Sequence, residues 1–287
     1  NLQMGLRFSE KPAASETDLA GVLELVKLNQ PLEKDPLKLS GGEKQRLALG
    51  RVLLMKPDVL LLQELKCTDD KFPLAEIEAA GYKAAVHGQK SWNGVAILSP
   101  HDILDVRRGL PGDDTDEQSR YIEATIGGFR VASIYLPNGN PVDSEKYPYK
   151  LRWFDRLIAH AKGLLGQDTP VVLGGDYNII PEARDCHDPA AWAEDALFRL
   201  DSRRKFRSLV NLGFTDAFRA VNDEDEQYTF WDYQAGAWPR NHGIRIDHLL
   251  LCPRAADRLK DCRIDRDPRA AEKASDHTPI FAELNDT

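Results

Sequence analysis

The chain has 287 residues with 42% hydrophobic content, which is enough for a buried core in one large or two ordinary domains. Its formal net charge of −8 excludes a protein that coats nucleic acid without specificity, because such proteins carry a basic surface. An enzyme that meets nucleic acid at a single basic cleft remains compatible with this composition.

The cysteines and the apolar runs indicate a protein of the cytoplasm. The four cysteines form no Cys-x-x-Cys pair, so neither a zinc site nor a disulfide framework is predicted. Apolar runs such as residues 59–62 are far shorter than the ~20 residues that cross a bilayer. No charged-then-apolar leader opens the chain. We therefore expect a soluble cytoplasmic protein with reduced thiols and no membrane partner.

The N-terminal part of the chain is predicted to be mainly helical. Apolar side chains in residues 18–28 follow helical spacing. Ser40 and Glu43 form a capping box for a second helix, which runs to about Met55. Residues 1–8 alternate between polar and apolar side chains, a pattern that favours a strand as much as a helix.

A buried strand is predicted immediately after these helices. Residues 59–62 are all apolar, and Gln63 and Glu64 follow them. Such a strand places a carboxylate at its carboxyl end, which is where sheet-based enzymes usually carry their chemistry. Glu64 is therefore the first candidate metal ligand.

The rest of the chain alternates between short strands and helices. The clearest predicted strands are residues 94–98, 129–135, 170–176 and 244–251. An amphipathic helix is predicted over residues 149–163, and one or two more over residues 190–212. This order predicts an α/β fold with two stacked sheets covered by helices.

Several polar residues stand at the ends of these strands. Asp176 and Asn178 lie two residues apart, so an extended strand points both to one side, where one can activate water and the other can bind a phosphate oxygen. A turn is the alternative interpretation of this pair. Asp276 precedes His277, and Asp247, which closes a predicted strand, can orient that imidazole as an acid orients a base. A lone histidine is otherwise more often structural.

The chemical types of these residues favour a hard metal ion. Carboxylates with a single histidine point to Mg²⁺, or to Mn²⁺, rather than zinc. A hard divalent ion beside a water-activating acid suits cleavage of a phosphodiester, because the ion neutralises charge that develops on the phosphoryl oxygens.

Six segments carry a resemblance to a known family: residues 63–66, 92–99, 135–139, 175–181, 241–247 and 275–279. Together they resemble the exonuclease III and AP endonuclease branch of the endonuclease/exonuclease/phosphatase superfamily. Their order and spacing agree with that family from about residue 57 to the end. The resemblance implies a four-layer α/β/β/α sandwich. It also implies a monomeric, Mg²⁺-dependent DNA-repair phosphodiesterase that cuts 5′ of abasic sites and degrades double-stranded DNA from 3′ ends.

The resemblance also implies roles for individual residues. Glu64 would hold the metal ion with Asp276 nearby, and Asp176 would orient or deprotonate the attacking water. His277, paired with Asp247, would contact the phosphoryl oxygen. The residues implied beside the phosphate or the DNA backbone are Tyr135, Asn178, Asn138, Asn241 and Arg245. An apolar pocket for a flipped-out sugar would be formed by Phe230, Trp231 and Ile244, for which core packing is the alternative.

Residues 1–57 depart from that family. They contain no Trp-Asn-Val-Asn-like motif, whose Asn helps to hold metal and phosphate, and residues 39–46 instead resemble the signature motif of an ABC transporter ATPase. No phosphate-binding Gly-x-x-x-x-Gly-Lys-Ser/Thr loop is present, so ATP is not an expected ligand. We predict that residues 1–57 replace the first strand and helix of a nuclease domain at residues 58–287, with residues 2–8 in the vacant strand position.

Without the asparagine of the Trp-Asn-Val-Asn-like motif, the active site lacks one amide donor. We therefore predict reduced rather than absent activity, because one active-site donor contributes about 2.7–4 kcal/mol to transition-state stabilisation. The alternative is a catalytically dead fusion product that binds only DNA or a transporter partner.

Overall fold

A computed structural model describes residues 2–7, 50, 55–270 and 274–285. The predicted helices at residues 18–28 and 40–55 lie outside this part of the chain, apart from residues 50 and 55. The mainly helical N-terminus and the domain boundary near residue 57 therefore stay predictions. No helix within the described residues is long and apolar enough to cross a lipid bilayer.

The described residues form two sheets and six α-helices. The strands are β1 (Leu2–Arg7), β2 (Val59–Gln63), β3 (Lys83–His87), β4 (Val95–Ser99), β5 (Leu104–Arg108), β6 (Tyr121–Ile126), β7 (Phe129–Tyr135), β8 (Val171–Asp176), β9 (Thr215–Asp216), β10 (Asp247–Leu251), β11 (Leu259–Ile264) and β12 (Ile280–Leu284). The helices are α1 (Leu74–Ala79), α2 (Lys146–Leu165), α3 (Leu200–Val210), α4 (Ala217–Val221), α5 (Pro253–Ala256) and α6 (Asp267–Ala270).

Strand β1 lies inside the first sheet, whose order is β11-β12-β1-β2-β4-β3. It runs parallel to β12 and antiparallel to β2. Gly5 permits this packing, because a Cβ atom there would lie 2.6 Å from the Phe281 ring on β12. Residues 2–7 therefore occupy a strand position in the sheet, as predicted, while Phe8 lies outside the described residues.

Strand β2 is buried on both faces. Val59 and Leu61 face the core between the two sheets. Leu60 and Leu62 pack on the other face in a separate cluster, which includes Ile77 of α1. A strand covered on both sides needs apolar residues at every position, which explains the uninterrupted run in the sequence.

The second sheet has the order β5-β6-β7-β8-β10-β9, with β7 parallel to β8 and β8 antiparallel to β10. Helix α2 covers its outer face, where Trp153, Phe154 and Leu157 join the main hydrophobic core. The layers are thus helix, sheet, sheet and helix. The predicted α/β sandwich is confirmed.

Two predicted elements have different bounds in the structure. Residues 244–246 pair outside the sheet, because Ile244 bonds to Phe230 and the carbonyl of Ile246 accepts from Tyr177 N at 2.9 Å. Residues 190–199 form turns rather than helix, because Ile180 N bonds to the carbonyl of Leu197. These contacts join distant parts of the chain, which local periodicity does not show.

A buried carboxylate on the second sheet links stability to pH. Glu123 on β6 is 1% exposed, and it accepts hydrogen bonds from Tyr121 Oη at 2.6 Å and His160 Nε2 at 3.0 Å. Arg130 adds an ion pair at 2.7 Å. Burial alone would raise the pKa of Glu123, but the bonds from His160, Tyr121 and Arg130 lower this pKa to about 2.

We expect Glu123→Gln to lower the free energy of unfolding by about 3 kcal/mol at neutral pH, because the folded protein favours the ionised carboxylate. A lowered pKa stabilises the fold above the unfolded value near 4.5, and this stabilisation is lost as the pH falls towards 2. Urea unfolding of both proteins between pH 7 and pH 2.5 measures the effect. A stability difference that stays constant down to pH 2.5 would contradict it.

Candidate active site

The predicted site residues come together at one edge of the two sheets. Because β10 is antiparallel to β8, Asp247 at the start of β10 lies opposite Asp176 at the end of β8. Tyr135, the last residue of β7, is also opposite Asp176. Asp247 therefore opens a strand and does not close one, which corrects the prediction from the sequence. His277 comes shortly before β12 and forms a bridge to Phe230.

Asp247, His277 and Asp176 form a buried constellation. His277 Nδ1 lies 2.9 Å from Asp247 Oδ2, and His277 Nε2 lies 4.0 Å from Asp176 Oδ2. Burial alone would lower the pKa of His277, but the charge and hydrogen bond of Asp247, with smaller contributions from Asp176 and Asp276, raise this pKa to about 10. The imidazole is thus held as a cation near neutral pH, with Nδ1 donating to Asp247.

Asp176 and Asn178 form a tight turn. Asn178 N donates to Asp176 Oδ1 at 2.8 Å, and Asn178 Nδ2 donates to Asp176 Oδ2 at 3.1 Å. The φ angle of Asn178 is +47°, a conformation in which asparagine is enriched. The turn interpretation is therefore confirmed, and the same turn places both side chains in the cleft. Burial and the charge of Asp247 raise the pKa of Asp176 to about 8, against the influence of His277.

Two amide side chains meet beside this turn. Asn138 Nδ2 donates to Asn178 Oδ1 at 2.9 Å, and Asn178 Nδ2 also donates to the carbonyl of Leu136 at 2.9 Å. Behind them lies Lys150 of α2, whose Nζ donates to the carbonyls of Asn138 at 2.9 Å and Asn178 at 2.7 Å. Burial lowers the pKa of Lys150 to about 7, although Asp176 and Asp195 favour its charged form.

Glu64 lines the same cleft. Its carboxylate accepts a hydrogen bond from Tyr135 Oη at 2.5 Å and forms an ion pair with Lys66 Nζ at 3.0 Å. Burial would raise the pKa of Glu64, but the bonds from Tyr135 and Lys66 lower it. The side chain is therefore held as an anion at the end of β2, where a cation can reach it.

The cleft between these residues has a volume of about 280 Å³. Of the predicted residues, it is lined by Glu64, Tyr135, Asn138, Asp176, Asn178, Phe230, Asp276 and His277. Asp247 is 0% exposed and lies beneath His277. The lining residues that were not predicted are Asn140, Trp192, Asp195, Leu197, Asp232 and Ile246.

The part of the cleft wall that the sequence did not predict is formed by a contact between the loop at Asn140 and the loop at Asp195. Asn140 Nδ2 donates to both carboxylate oxygens of Asp195 at 3.1 Å, and Ala196 N donates to Asn140 Oδ1 at 3.2 Å. Trp192 and Leu197 flank this junction. No signal in the sequence marks a pairing between residues so far apart in the chain.

Three residues predicted for the apolar pocket or for DNA contact do not line the cleft. Trp231 is 0% exposed and packs edge-to-face on Trp238, and Ile244 is 1% exposed. Asn241 Oδ1 accepts from Trp231 Nε1 at 3.3 Å and from Arg266 Nη2 at 2.9 Å. For Trp231 and Ile244 the core-packing alternative is therefore correct, and the Asn241 carbonyl is used within the protein. Phe230 alone of the predicted pocket residues lines the cleft.

The prediction that Arg245 binds DNA or phosphate is wrong. Its side chain is 1% exposed, and its guanidinium pairs with Asp185 at 2.8 Å and with Asp216 at 2.8 Å. Arg219 also bonds to Asp185, at 2.6 Å. The guanidinium donates to His248 Nδ1 as well, at 3.0 Å. Arg245 thus stabilises the packing beneath the site through buried ion pairs.

We expect Arg245→Ala to lower the free energy of unfolding by about 3–5 kcal/mol, because removing one partner leaves buried carboxylates without a counter-charge. Urea unfolding measures the loss. Arg254→Ala is the matched control, since that arginine pairs with Asp168 on the surface and both side chains are largely exposed. Equal stability losses for the two variants would contradict the structural role.

The cleft carries carboxylates of the kind that bind divalent cations. Among the described residues, Asp176, Asp247 and His277 place candidate ligand atoms within 4.8 Å of one another. His277 is already paired with Asp247 and held as a cation, which disfavours this group as a metal site. Glu64 and Asp276 line the same cleft with carboxylates, which are ligands that hard divalent ions prefer.

Comparison with known proteins identifies the family. The model of the Endonuclease/Exonuclease/phosphatase family matches residues 1–277. The chain belongs to this family. Among its relatives, exodeoxyribonuclease III of Haemophilus influenzae is 34% identical over 241 residues, which cover 80% of this chain and 90% of that protein.

Solved structures show the same similarity. An AP endonuclease from Archaeoglobus fulgidus superimposes with a TM-score of 0.78 at 35% identity and covers 99% of both chains. The 3′-5′ exonuclease NExo from Neisseria meningitidis superimposes with a TM-score of 0.80 at 42% identity, over 84% of this chain and 94% of that chain. The prediction of a nuclease of this family is confirmed. The resemblance of residues 1–57 to a transport ATPase stays a prediction.

Proposed function

We propose that this family member is a Mg²⁺-dependent DNA-repair phosphodiesterase. It cuts double-stranded DNA 5′ of abasic sites and removes nucleotides from 3′ ends. The observation that supports this most strongly is the buried Asp247–His277 pair, which presents an imidazolium beside Asp176 and the paired amides of Asn138 and Asn178. A cation, a carboxylate and two amides around one cleft suit a phosphodiester that is attacked by water.

The roles of the catalytic residues follow from their charges. His277 is the group that contacts a phosphoryl oxygen, because an imidazolium stabilises negative charge that grows in the transition state. Asp176 lies 4.0 Å from it and is the base that takes a proton from the attacking water. Asn138 keeps one amide hydrogen for a phosphate oxygen, and Asn178 donates to the phosphate by exchanging its bond to Asp176 Oδ2 or to the Leu136 carbonyl.

Glu64 and Asp276 are the residues that would hold the divalent ion. When bound, that ion neutralises charge on the phosphoryl oxygens. Tyr135 keeps the Glu64 carboxylate oriented through its hydrogen bond of 2.5 Å. Oxygen ligands without a free imidazole favour Mg²⁺, with Mn²⁺ as an alternative.

The apolar side of the cleft supports recognition of a sugar that lacks its base. Phe230, Trp192 and Leu197 form this side, and Ile246 lies at its floor. A flipped-out abasic deoxyribose is small and has little polar surface, so an apolar recess accepts it at low desolvation cost. A nucleotide with its base attached needs more room at the same position.

Incision of duplex DNA that carries one tetrahydrofuran abasic analogue tests the proposal. We expect a single cut 5′ of the lesion with Mg²⁺, complete loss of cutting with excess EDTA, and recovery when Mg²⁺ is restored. A second duplex without a lesion, labelled at one 5′ end, reports shortening from the 3′ end. Cutting that persists in EDTA contradicts the metal dependence. No cutting by folded protein favours the alternative of a catalytically dead chain that only binds DNA or a partner.

A further inference from the structure

Lys150 is a fully buried lysine for which the proposed mechanism has no role. It is 0% exposed on α2, and its neighbours Tyr147, Trp153 and Phe154 on the same helix pack into hydrophobic clusters. A lysine is almost never fully buried unless it is paired. Its hydrogen-bond partners are not carboxylates but the two backbone carbonyls of Asn138 and Asn178.

These two carbonyls belong to the residues whose amide side chains meet in the cleft. One ammonium group therefore joins the loop after β7 to the loop after β8, directly behind the Asn138–Asn178 contact. The two carbonyl oxygens converge on one nitrogen, at 2.9 and 2.7 Å. Without the cation, their negative dipole ends would face each other in a buried place and push the loops apart.

Gly139 shows how closely the lysine fits beneath the first loop. A Cβ atom at Gly139 would lie 2.6 Å from Lys150 Cδ and 3.4 Å from Lys150 Cβ. The φ angle of Gly139 is +91°, which only glycine adopts without strain. The contact between the Lys150 side chain and Gly139 thus fixes the position of the loop that carries Asn138.

We propose that Lys150 is a positioning residue, which clamps the two loops so that the Asn138 and Asn178 amides face the substrate phosphate together. The proposal rests on the proposed function, because it assigns the amides to phosphate binding. Lys150 itself does not touch the substrate. Its effect on the reaction is transmitted only through Asn138 and Asn178.

Nuclear magnetic resonance tests the clamp without any activity. In Lys150→Met we expect the side-chain amide signals of both Asn138 and Asn178 to shift or broaden, and Asn138→Ala and Asn178→Ala assign those signals. Lys162→Met, the same change at an exposed position of α2, should leave them in place. Gly139→Ala, which pushes on the lysine stem without removing the buried charge, should also move them. Unchanged amide signals in folded Lys150→Met overturn the proposal.

Incision kinetics then test transmission through the amides. We expect Lys150→Met to lower kcat for abasic-site incision by about 10²-fold, because a displacement of about 1 Å at a reacting group has this effect. In an Asn138→Ala, Asn178→Ala background, the same change should alter kcat by no more than about threefold. Equal fold-losses in the two backgrounds overturn the proposal. If the unmodified protein does not cut while the amide signals move, the proposed function fails and the clamp stands.

Discussion

Asp176→Asn is expected to lower kcat for abasic-site incision by about 10²–10⁴-fold, which is the usual contribution of a general base. Asparagine has the shape of aspartate and can still accept the hydrogen bond from Asn178 N, so the turn is retained. It cannot take a proton from water. The loss therefore falls on the chemical step, and KM should change little.

Asp176→Asn is also expected to affect the stability of the folded protein. Burial and the charge of Asp247 raise the pKa of Asp176 to about 8, so the folded protein disfavours a carboxylate anion at this position. We expect the thermal unfolding midpoint of Asp176→Asn to be equal to or higher than that of the unmodified protein. Asp143→Asn, at an exposed position, is the matched control and should retain full activity. An active, or an unfolded, Asp176→Asn protein would contradict this assignment.

Asp247→Asn is expected to change how the rate depends on pH. With Asp247 present, the pKa of His277 is about 10, so the imidazolium survives through neutral and mildly alkaline solution. Without that charge, burial acts with less opposition and the pKa of His277 falls. The cation that contacts the phosphoryl oxygen is then lost as the pH rises.

A pH profile from 5.5 to 9.5 measures this change. In the unmodified protein, kcat should rise as Asp176 loses its proton towards pH 8 and should then hold to the alkaline end, because His277 loses its proton only near pH 10. In Asp247→Asn, kcat should fall about tenfold for each pH unit above the lowered pKa, since the active fraction follows protonation of a single group. At pH 8 we expect a loss of about 10²-fold or more. A uniform loss at every pH would mean that Asp247 acts on geometry alone.

Several elements of the fold and of the site can be predicted from the local sequence. The apolar run before Glu64 predicts a strand buried on both faces, and β2 is buried in two separate clusters. Residues 129–135 are predicted as a short apolar strand and coincide with β7. The Asp176–Asn178 spacing leaves an extended pair and a turn as alternatives, and the structure has the turn, with both side chains lining the cleft. In each case the signal and the structure lie within a few neighbouring residues.

Other parts depend on contacts between distant segments. Lys150 sits in an amphipathic helix, where a lysine is normally assigned to the solvent face. Its partners are loop carbonyls that become neighbours only after the sheet has formed. Arg245 belongs to a motif that resembles a DNA contact, yet Asp185, 60 residues away in the chain, and Asp216 surround it. The alternation in residues 1–8 does not decide between a strand and a helix. Pairing with β12, from the other end of the chain, makes residues 2–7 a strand.

Residue types and their spacing specify which chemistry the chain carries, because carboxylate, amide and imidazole groups have the same reactivity wherever they lie. They also predict several of the strands, because a strand buried on one face has alternating side chains and a strand buried on both faces is an apolar run. Which of these groups meet is decided by the tertiary structure. The antiparallel pairing of β8 and β10 brings Asp247 to Asp176, and the register of those strands sets the Asp247 charge close enough to raise the pKa of Asp176. Electrostatic coupling falls with distance in space, and distance along the sequence does not report it.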